Sequence, residues 1–379
     1  MQAMDSAQSQ LIQIAERVRA AAADATPLRI RGGGTKDFHG LALQGELLDT
    51  RALAGVVSYE PSELVVTVRA GTPLAEVEAL LAAQGQCLAF EPPHFEGADG
   101  CATVGGMVAA GLSGPSRASV GAVRDFMLGL EMINGQGELL RYGGQVMKNV
   151  AGYDVSRLMA GSWGTLGLIT EVSLKVLPVA PAEATLRFEC TQQQALDWLN
   201  AWGGQPLPLN ASCWLQEDSA AQGVLYLRLR GARAAVQAAC GRLGGERMHS
   251  AAADWQACRE HQLPWFTARA PGHALWRLSV PQTAPVLALP DGCTGPLVEW
   301  HGALRWVQAP RALGHALRAL AKAAGGSATL FRSEATGQPG AGPDFDAQAA
   351  DATAALHARL KQAFDPAGIF NRGRLAAAW

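Results

Sequence analysis

Three short glycine-rich segments are the part of this sequence whose residue types best suit chemistry. The first, residues 31–36, reads Arg-Gly-Gly-Gly-Thr-Lys and ends a short predicted strand. Glycines after a strand permit positive φ angles and a close approach of the backbone, so successive amides can form a nest for an anion. A pyrophosphate is the expected guest. Taken alone, the segment fits a glycine-rich surface turn equally well.

The other two segments carry the same small-residue pattern. The second spans residues 92–121 and contains Cys-Ala-Thr-Val-Gly-Gly-Met-Val-Ala-Ala-Gly-Leu-Ser-Gly at 101–114, followed by Gly121. The third, residues 161–170, reads Gly-Ser-Trp-Gly-Thr-Leu-Gly-Leu-Ile-Thr. So many small residues cannot fill a dense apolar core, but they suit a backbone that wraps closely around a large flat group. The alternatives are a flexible loop for the former and an ordinary helix-to-strand turn for the latter.

Several other kinds of site are unsupported. The first segment matches neither a Walker loop nor a Gly-x-Gly-x-x-Gly fingerprint. The 31 basic and 33 acidic residues give a formal charge of −2, which offers no basic field for nucleic acid or anionic lipid. The seven cysteines include no Cys-x-x-Cys pair, and the eight histidines include no His-x-His or His-x-x-x-His pair. We therefore expect no disulfide framework, iron–sulfur cluster or metal site in this chain.

The elements that must position these segments follow an α+β pattern over 379 residues, a length that suggests about two domains. A helix is predicted at 72–84, with Thr72 as its N-cap and Pro73 at its first position. Asn134 and Gly135 predict a tight hairpin turn. The strands predicted in the first half are residues 28–31, 56–59, 64–68, 126–133, 138–141 and 168–176.

After residue 180 the predicted elements alternate between strand and helix, as in a ferredoxin-like layer. The predicted strands there are residues 184–188, 224–230, 276–280 and 304–307, and the predicted helices are 192–202, 232–243, 312–323 and 347–364. We place domain boundaries near residues 180 and 330.

In this order and at these intervals, the three segments resemble the FAD-binding domain of the vanillyl-alcohol oxidase and p-cresol methylhydroxylase (PCMH-type) family. The resemblance covers roughly residues 28–180 and 364–374. It implies an α+β fold in which a PCMH-type FAD-binding domain carries an inserted ferredoxin-like α+β cap domain. The implied layout is an FAD-binding domain at 1–180, a cap domain at 181–330, and a C-terminal segment at 331–379 that returns to the FAD domain.

A closer resemblance is to the family of FAD-binding subunits of glycolate oxidase, the GlcE type. It is carried by Glu-Pro-Pro-His at 91–94, Gly-Gly-Met-Val at 105–108, Gly-Leu-Ser-Gly-Pro at 111–115, Val-Arg-Asp-Phe at 123–126 and Val-Met-Lys-Asn-Val-Ala-Gly-Tyr-Asp at 146–154. Trp-Arg-Leu-Ser-Val at 276–280 and Phe-Asp-Pro-Ala-Gly-Ile-Phe-Asn at 364–371 extend it across the cap and the tail.

The resemblance implies a set of FAD-binding residues that act largely through the backbone. They are Arg31, Gly32, Gly33, Gly34, Thr35, Lys36, Pro93, Thr103, Val104, Gly105, Gly106, Ala110, Gly111, Ser113, Gly114, Gly121, Val123, Lys148, Gly164, Thr165, Gly167, Ile169 and Asn371.

Two positions bear on how the flavin is attached. Some relatives bind flavin covalently through a histidine where this chain has Thr35. Threonine cannot form that bond, so we expect noncovalent FAD. Cys101 stands where some relatives make a second link, but without the histidine we expect it to be a small packed residue.

The catalytic residues stay unassigned. Oxidation of a 2-hydroxy acid requires a cation for the carboxylate and a base for the hydroxyl proton. His301 reads as a surface or core histidine more readily than as a base. Arg277, Arg305 and Arg332 read more readily as salt-bridged or solvated side chains than as carboxylate ligands. Lys148 would favour the anionic reduced flavin if it lay near flavin N1.

The resemblance also implies a function and partners. Subunits of this type work with a homologous catalytic flavin subunit and an iron–sulfur subunit, which together oxidise glycolate to glyoxylate. We expect this chain to be the accessory FAD subunit of such a glycolate oxidase or dehydrogenase, acting on a small 2-hydroxy acid. We expect it in the cytoplasm, peripheral to the inner membrane through its partners, without membrane insertion or nucleic acid. The alternatives are a self-sufficient FAD-dependent 2-hydroxy-acid dehydrogenase and a flavin-free scaffold subunit.

Overall fold

The computed structural model describes residues 2–41, 44–95, 100–144, 154–216, 222–333 and 352–376. Lys148, predicted to bind FAD, lies outside these ranges. The fold is α+β, as predicted. No helix in the described ranges combines the length and the apolar character needed to cross a bilayer.

Helices and strands alternate in the first part of the chain. In order they are α1 (Gln2–Ala23), β1 (Leu28–Arg31), β2 (Glu46–Asp49), β3 (Val56–Glu60), β4 (Val65–Arg69), α2 (Leu74–Ala82), β5 (Gln86–Cys87), α3 (Val104–Ala110), α4 (Arg117–Val120), α5 (Val123–Phe126), β6 (Met127–Ile133), β7 (Leu139–Gly143), α6 (Val155–Met159), β8 (Leu168–Lys175) and β9 (Leu177–Pro178).

An antiparallel five-stranded sheet forms the centre of this part, in the spatial order β3-β4-β8-β6-β7. Val68 of β4 and Val172 of β8 belong to one buried cluster with Val77 and Leu81 of α2 and Met107 of α3. Burying each such side chain contributes about 1.5–3 kcal/mol relative to leaving it in water. This packing anchors α3, which lies within the second glycine-rich segment, against the sheet.

The C-terminal tail completes the first part of the chain. β1 and β2 form a separate parallel pair, and Phe370 forms a parallel bridge to Leu28 of β1. The Leu28 amide donates to the Ile369 carbonyl at 2.8 Å, and the Asn371 amide donates to the Leu28 carbonyl at 3.0 Å. The tail therefore lies beside the first glycine-rich segment, which follows β1.

The helix predicted at 72–84 is shorter, and its predicted N-cap was wrong. α2 begins at Leu74, its N-cap residue is Pro73, and no side chain caps it. The Thr72 hydroxyl instead donates to the carbonyl of Arg69 at 2.7 Å. This bond to the preceding turn points the hydroxyl away from the first amides of the helix.

The hairpin predicted at 126–141 is present as β6 and β7, but its turn is longer than an Asn-Gly pair. The Asn134 amide donates to the Glu138 carbonyl at 3.1 Å, and Asn134 Oδ1 accepts from the amides of Gln136 and Glu138 at 3.0 Å. The positive φ falls on Gly137, at 71°. The Asn134 side chain stabilises a three-residue loop, a common hairpin connection in which a glycine takes the left-handed position.

The second part of the chain contributes one large sheet with helices. Its elements are β10 (Ala182–Cys190), α7 (Gln192–Gly203), β11 (Leu209–Leu215), β12 (Gly223–Gly231), α8 (Arg233–Leu243), β13 (Glu246–Met248), α9 (Ala252–Arg259), α10 (Pro264–Thr267), β14 (His273–Ser279), β15 (Thr294–Glu299), β16 (Leu304–Pro310), α11 (Gly314–Ala323) and β17 (Ser327–Arg332), and α12 (Ala352–Phe364) precedes the tail.

The cap sheet is built from two ferredoxin-like halves. Its order is β13-β10-β12-β11-β15-β16-β14-β17. In the first half, β10 to β13 with α7 and α8 follow a β-α-β-β-α-β path along the chain. In the second half, β14 to β17 have the same spatial order read from the opposite edge of the sheet. In the second half a connection without a helix, residues 280–293, replaces the first helix. β11 and β15 join the halves through the pairs Cys213–Glu299 and Trp214–Val298.

The two faces of the cap sheet have different neighbours. On one face, Leu225 and Leu227 of β12 pack with Leu196 and Leu199 of α7. The other face contributes aromatic residues, Trp306 of β16 among them, to a cluster that includes residues of the first part of the chain. The domain boundaries near 180 and 330 stay predictions.

Candidate functional site

All three glycine-rich segments line a single cleft, which we call the glycine cleft. Its walls are Ile30, residues 31–37, Thr50, Ala70, Thr103, Gly105, Gly106, Ala109, Ala110, Trp163, Gly164, Gly167, Ile169, Asn371 and Arg374. β1 presents the first segment and the N-terminal turn of α3 presents the second. The third segment leads into β8.

Two glycines show how the backbone shapes this cleft. A Cβ at Gly33 would stand 1.7 Å from the carbonyl oxygen of Cys101, so the first and second segments touch backbone to backbone. At Gly106 a Cβ would meet the Thr103 Oγ1 at 3.1 Å and nothing else nearby, and Gly106 is exposed. The space that the missing Gly106 side chain leaves therefore belongs to the cleft. A large cofactor that requires close backbone approach fits such a surface.

Asn371 joins the tail to two walls of the cleft. Its Oδ1 accepts from the Ile30 amide and its Nδ2 donates to the Trp163 carbonyl, both at 2.8 Å. A Cβ at Gly164 would lie 2.5 Å from that Nδ2, so the third segment must have glycine there. Both ends of the Asn371 amide are committed to backbone, and the residue positions the first and third segments relative to each other.

Positive charge reaches the cleft through Arg31, Lys36 and Arg374. Arg31 Nε donates to Asp37 Oδ2 at 2.7 Å, and Arg374 donates to the carbonyls of His39 (2.6 Å) and Lys36 (2.8 Å). Lys36 Nζ lies 3.2 Å from the Thr35 hydroxyl, and burial lowers the pKa of Lys36 to about 8. A bound anion would oppose that loss of charge.

The predicted FAD-binding residues divide by position. Those that line the cleft are Arg31, Gly32, Gly33, Gly34, Thr35, Lys36, Thr103, Gly105, Gly106, Ala110, Gly164, Gly167, Ile169 and Asn371. Pro93, Ser113 and Gly114 line a second pocket. Val104 and Val123 belong to the apolar core, Gly111 and Gly121 end α3 and α4, and Thr165 bonds through its hydroxyl to the Ser162 carbonyl.

Cys101 is exposed, so the prediction that it is a small packed residue was wrong. Its backbone carbonyl, rather than its thiol, makes the close contact with Gly33.

The second pocket lies between the first part of the chain and the cap. Its walls are Pro93, Phe95, Leu112, Ser113, Gly114, Pro115, Cys258, Arg259, His261, Arg277, Glu299, Trp300, Leu304, Trp306 and Phe331. We call it the interdomain pocket. Its volume is about 20 Å³, room for one or two water molecules.

Glu299 is the buried carboxyl of the interdomain pocket, with 4% of its surface exposed. Its Oε2 accepts from Trp306 Nε1 at 2.7 Å, and its Oε1 accepts from the Cys258 thiol at 3.3 Å. Burial raises the pKa of Glu299 to about 7, although the bonds to Trp306 and Cys258 favour the ionised form. The carboxyl is therefore poised to titrate near neutral pH.

His261 and Arg277 are two further polar groups of this pocket. Burial, together with the charges of Arg332 and Arg277, holds the pKa of His261 well below its usual range, so the imidazole is neutral. Its Nδ1 has no hydrogen-bond partner among the described residues. The Arg277 guanidinium lies over the Trp300 ring at 5.2 Å. A proton acceptor and a cation thus line one small pocket.

Sequence patterns pointed to Arg277 but not to Glu299 or His261. Leu297, Val298 and Glu299 at the end of β15 are all buried, so the strand shows no alternation that would single out Glu299. The carboxyl's partners, Trp306 and Cys258, come from β16 and α9, and no local pattern reveals that convergence.

His301, Arg305 and Arg332 have structural contacts. His301 Nδ1 lies 3.1 Å from Ser212 Oγ and its Nε2 3.1 Å from Ser119 Oγ, and burial lowers its pKa to about 4. Arg305, 1% exposed, donates to the carbonyls of residues 284, 285 and 302. Arg332 lies 3.8 Å from the centre of the Phe38 ring.

A buried ion-pair network joins the cap to the first part of the chain. Arg228 of β12 donates to both oxygens of Glu91, at 2.7 and 2.6 Å, and Arg230 donates to Glu91 at 3.0 Å. Burial opposes ionisation, but the two guanidiniums prevail and lower the pKa of Glu91. Glu91 thereby fixes the cap over the loop that borders the interdomain pocket.

The described part of the chain contains no group of three or more His, Cys, Asp or Glu side chains that could hold a metal ion. Among the described residues, the cleft and the pocket offer backbone amides, several cations, the carboxyls of Asp37 and Glu299, and the neutral imidazole of His261.

Known proteins with similar sequences place this geometry in a family. Residues 9–143 match the family model described as an FAD binding domain. The chain is 46% identical over 363 residues to the glycolate oxidase subunit GlcE of Escherichia coli K12, covering 96% of each chain. This chain belongs to the GlcE family of glycolate oxidase subunits. It also resembles the glycolate oxidase subunit GlcD of Bacillus subtilis, at 30% identity over 162 residues, which is 42% of this chain and 34% of that protein.

A solved structure supports the fold of this GlcE-family chain. p-Cresol methylhydroxylase with bound substrate superposes with a TM-score of 0.68 at 14% identity, covering 97% of this chain and 88% of that one. The predicted PCMH-type fold is confirmed. The chain is an FAD-dependent oxidoreductase.

Proposed function

We propose that this GlcE-family chain is the FAD-carrying subunit of a glycolate oxidase or dehydrogenase, and that it holds FAD noncovalently in the glycine cleft. The observation that carries the proposal is the cleft itself, where backbone from all three segments and the cations of Arg31 and Lys36 converge. Bound FAD supplies a two-electron acceptor for oxidation of a hydroxy acid. The residues of this chain bind and orient the cofactor and exclude water from it.

The proposed binding residues contribute to cofactor binding in different ways. The amides of residues 32–34 and the exposed edge at Gly106 are proposed to approach the cofactor, and Lys36 to balance its pyrophosphate charge. Asn371 is a positioning residue, because both ends of its amide already bond to backbone. Thr35 has no nucleophilic nitrogen to bond the flavin covalently.

The test of the binding site is Gly106→Val. The chain has room for a larger residue there without FAD, since a Cβ would meet only the Thr103 hydroxyl. We expect native stability but at least about tenfold weaker FAD binding, equivalent to ~1.4 kcal/mol. Gly203→Val at the end of α7 is the control, because no atom of the described residues lies within 4 Å of a Cβ at that exposed position. Unchanged FAD affinity in Gly106→Val would place the cofactor elsewhere.

We propose further that the chain works with partners. Two of the relatives are glycolate oxidase subunits, GlcE and GlcD, and this chain shares sequence with both. The proposed partners are a homologous catalytic flavin subunit and an iron–sulfur subunit. The described residues contain no metal-ligand cluster through which electrons could leave, which favours an external route.

The test is co-purification from the native host, with the isolated chain assayed beside the complex. We expect the isolated chain to be yellow, to release FAD on denaturation and to turn over glycolate slowly. The purified complex should contain both partners and oxidise glycolate. Vigorous glycolate turnover by the isolated chain would overturn the accessory role, and a chain that purifies without partners would overturn the complex.

A self-sufficient 2-hydroxy-acid dehydrogenase is the second candidate, favoured by the interdomain pocket. Arg277 has the charge to hold a carboxylate, and the neutral His261 has an unpartnered Nδ1 to accept a hydroxyl proton. Against it stands the pocket's volume of about 20 Å³, too small for glycolate without movement of its walls. Rapid bleaching of the isolated flavin by glycolate, abolished in Arg277→Met, would favour this candidate.

A further inference from the structure

A large cavity in the cap belongs to neither site described above. It has a volume of about 420 Å³ and lies between the cap sheet and residues 248–268. Its walls include Leu215, Val224, Tyr226, Trp255 and Trp265. We call it the cap cavity. Its volume is typical of a site for a small ligand.

The charges around the cap cavity restrict what it can bind. Asp254, which is exposed, is the one carboxylate of the wall, and the described wall residues include no lysine, arginine or histidine. A hydroxy-acid anion would find no cation there. The cavity therefore suits a neutral molecule, and the indole walls of Trp255 and Trp265 suit a flat ring.

One buried polar atom lacks a partner at this cavity. Gln308 of β16 lines the wall and is 1% exposed. Its Nε2 donates to the Trp265 carbonyl, while its Oε1 has no hydrogen-bond partner in the described ranges. An unsatisfied buried acceptor is costly, and a ligand with an N–H or O–H donor would remove that cost.

We propose that the cap cavity binds a small neutral aromatic molecule that carries a hydroxyl group, with the ring between the tryptophans and the hydroxyl donating to Gln308 Oε1. The site shares Cys258 with the interdomain pocket, and Cys258 donates to Glu299. Trp265 also contacts Phe266 at 5.1 Å, and Phe266 stacks on His261 at 4.3 Å. A ligand in the cap cavity therefore contacts the outer wall of the interdomain pocket.

The experiment uses the full FAD-loaded chain and two probes, 2-naphthol and naphthalene, titrated by fluorescence and calorimetry. We expect both to bind with one-to-one stoichiometry. The ratio of their affinities reports the hydroxyl contact, and Gln308→Leu should shift that ratio against 2-naphthol by about fivefold to tenfold. Naphthalene affinity should change less than about twofold, because Leu preserves the apolar volume. An unchanged ratio in a folded Gln308→Leu chain would overturn the proposed contact.

A second variant keeps the test decisive if Gln308→Leu does not fold. Ala251 is half-buried on the cavity wall, and Ala251→Phe should fill part of the space. We expect both probes to bind at least about tenfold more weakly while the flavin spectrum stays unchanged. The site would be overturned if neither probe bound the wild type up to its solubility limit, or if both probes bound Ala251→Phe with unchanged affinity.

Discussion

The glycine cleft and the interdomain pocket differ in the kind of residue that forms them. The cleft depends on missing side chains, as at Gly33, where the Cys101 carbonyl occupies the space that a Cβ would need. The interdomain pocket depends on ionisable side chains held away from water, with Glu299 at 4% exposure and His261 neutral. Phe95 lines the interdomain pocket, and the Lys36 ammonium of the cleft lies 5.4 Å from the centre of its ring.

This difference determines which perturbation each site should register. A surface made of backbone should respond little to pH, apart from the charged side chain of Lys36 at its rim, and should lose its shape when a single carbon is added. A pocket made of buried ionisable groups should tolerate small changes of shape at its rim and respond to pH, because the unfolded chain titrates those groups at their ordinary pKa values. Each prediction below targets one side of the comparison.

The largest effect is expected from Gly33→Ala. Its Cβ would lie 1.7 Å from a backbone carbonyl oxygen, and no side-chain rotation can relieve that contact. We expect a loss of about 3 kcal/mol or more in the free energy of unfolding, together with loss of bound flavin. Thermal unfolding and the flavin content of the purified protein measure both.

Gly241→Ala is the matched control. Gly241 lies inside α8, and nothing lies within 4 Å of an added Cβ. Alanine in an exposed helix interior should stabilise the chain by up to about 1 kcal/mol. If the two variants behaved alike, close backbone contact would not be what shapes the cleft.

The second prediction concerns Glu299→Gln and pH. Burial raises the pKa of Glu299 from 4.5 to about 7, so between these values the folded chain binds more protons at this site than the unfolded chain. This contribution to stability therefore falls as pH rises through that window, by about 3 kcal/mol in total. Gln keeps the shape and cannot ionise, so the variant should lose this slope. Urea unfolding at pH 5 and pH 8 measures the difference.

Glu189→Gln provides the control for that experiment. The Glu189 side chain is 67% exposed, and its removal should leave the slope of the wild type in place. Identical pH dependence in the wild type and Glu299→Gln would mean that the buried carboxyl does not titrate in this window.

The comparison also explains which parts of the molecule were predictable from sequence. Glycine clusters are local signals, and residues 31–36, Thr103, Gly106 and Gly164, which the family resemblance carried by those clusters pointed to, all line the cleft. Asn371 was identified through the resemblance, although its bonds to Ile30 and Trp163 span most of the chain. The alternation of strands and helices likewise predicted the α+β fold.

What the sequence did not reveal depends on long-range convergence. Glu299 acquires its character from Trp306 and Cys258, which reach it from separate elements. β11 and β15, which join the two halves of the cap, were not predicted as strands. The repeat within the cap was also hidden, because the second half replaces its first helix with an irregular connection and keeps only the strand order.

The smallest predicted effect tests the charged rim of the cleft. Among the described residues of the proposed FAD site, Lys36 is the one whose pKa burial lowers to about 8, so its charge is lost as pH rises above neutrality. If Lys36 balances the pyrophosphate, FAD affinity in the wild type should fall about threefold to tenfold between pH 7 and pH 9.5.

Lys36→Met should bind FAD about tenfold more weakly at pH 7 and show little further change. Lys36→Arg, which stays charged, should also lack the slope but retain the affinity. Equilibrium dialysis of FAD at the two pH values distinguishes these outcomes, and a slope that survives in Lys36→Met would assign the pH dependence to another group.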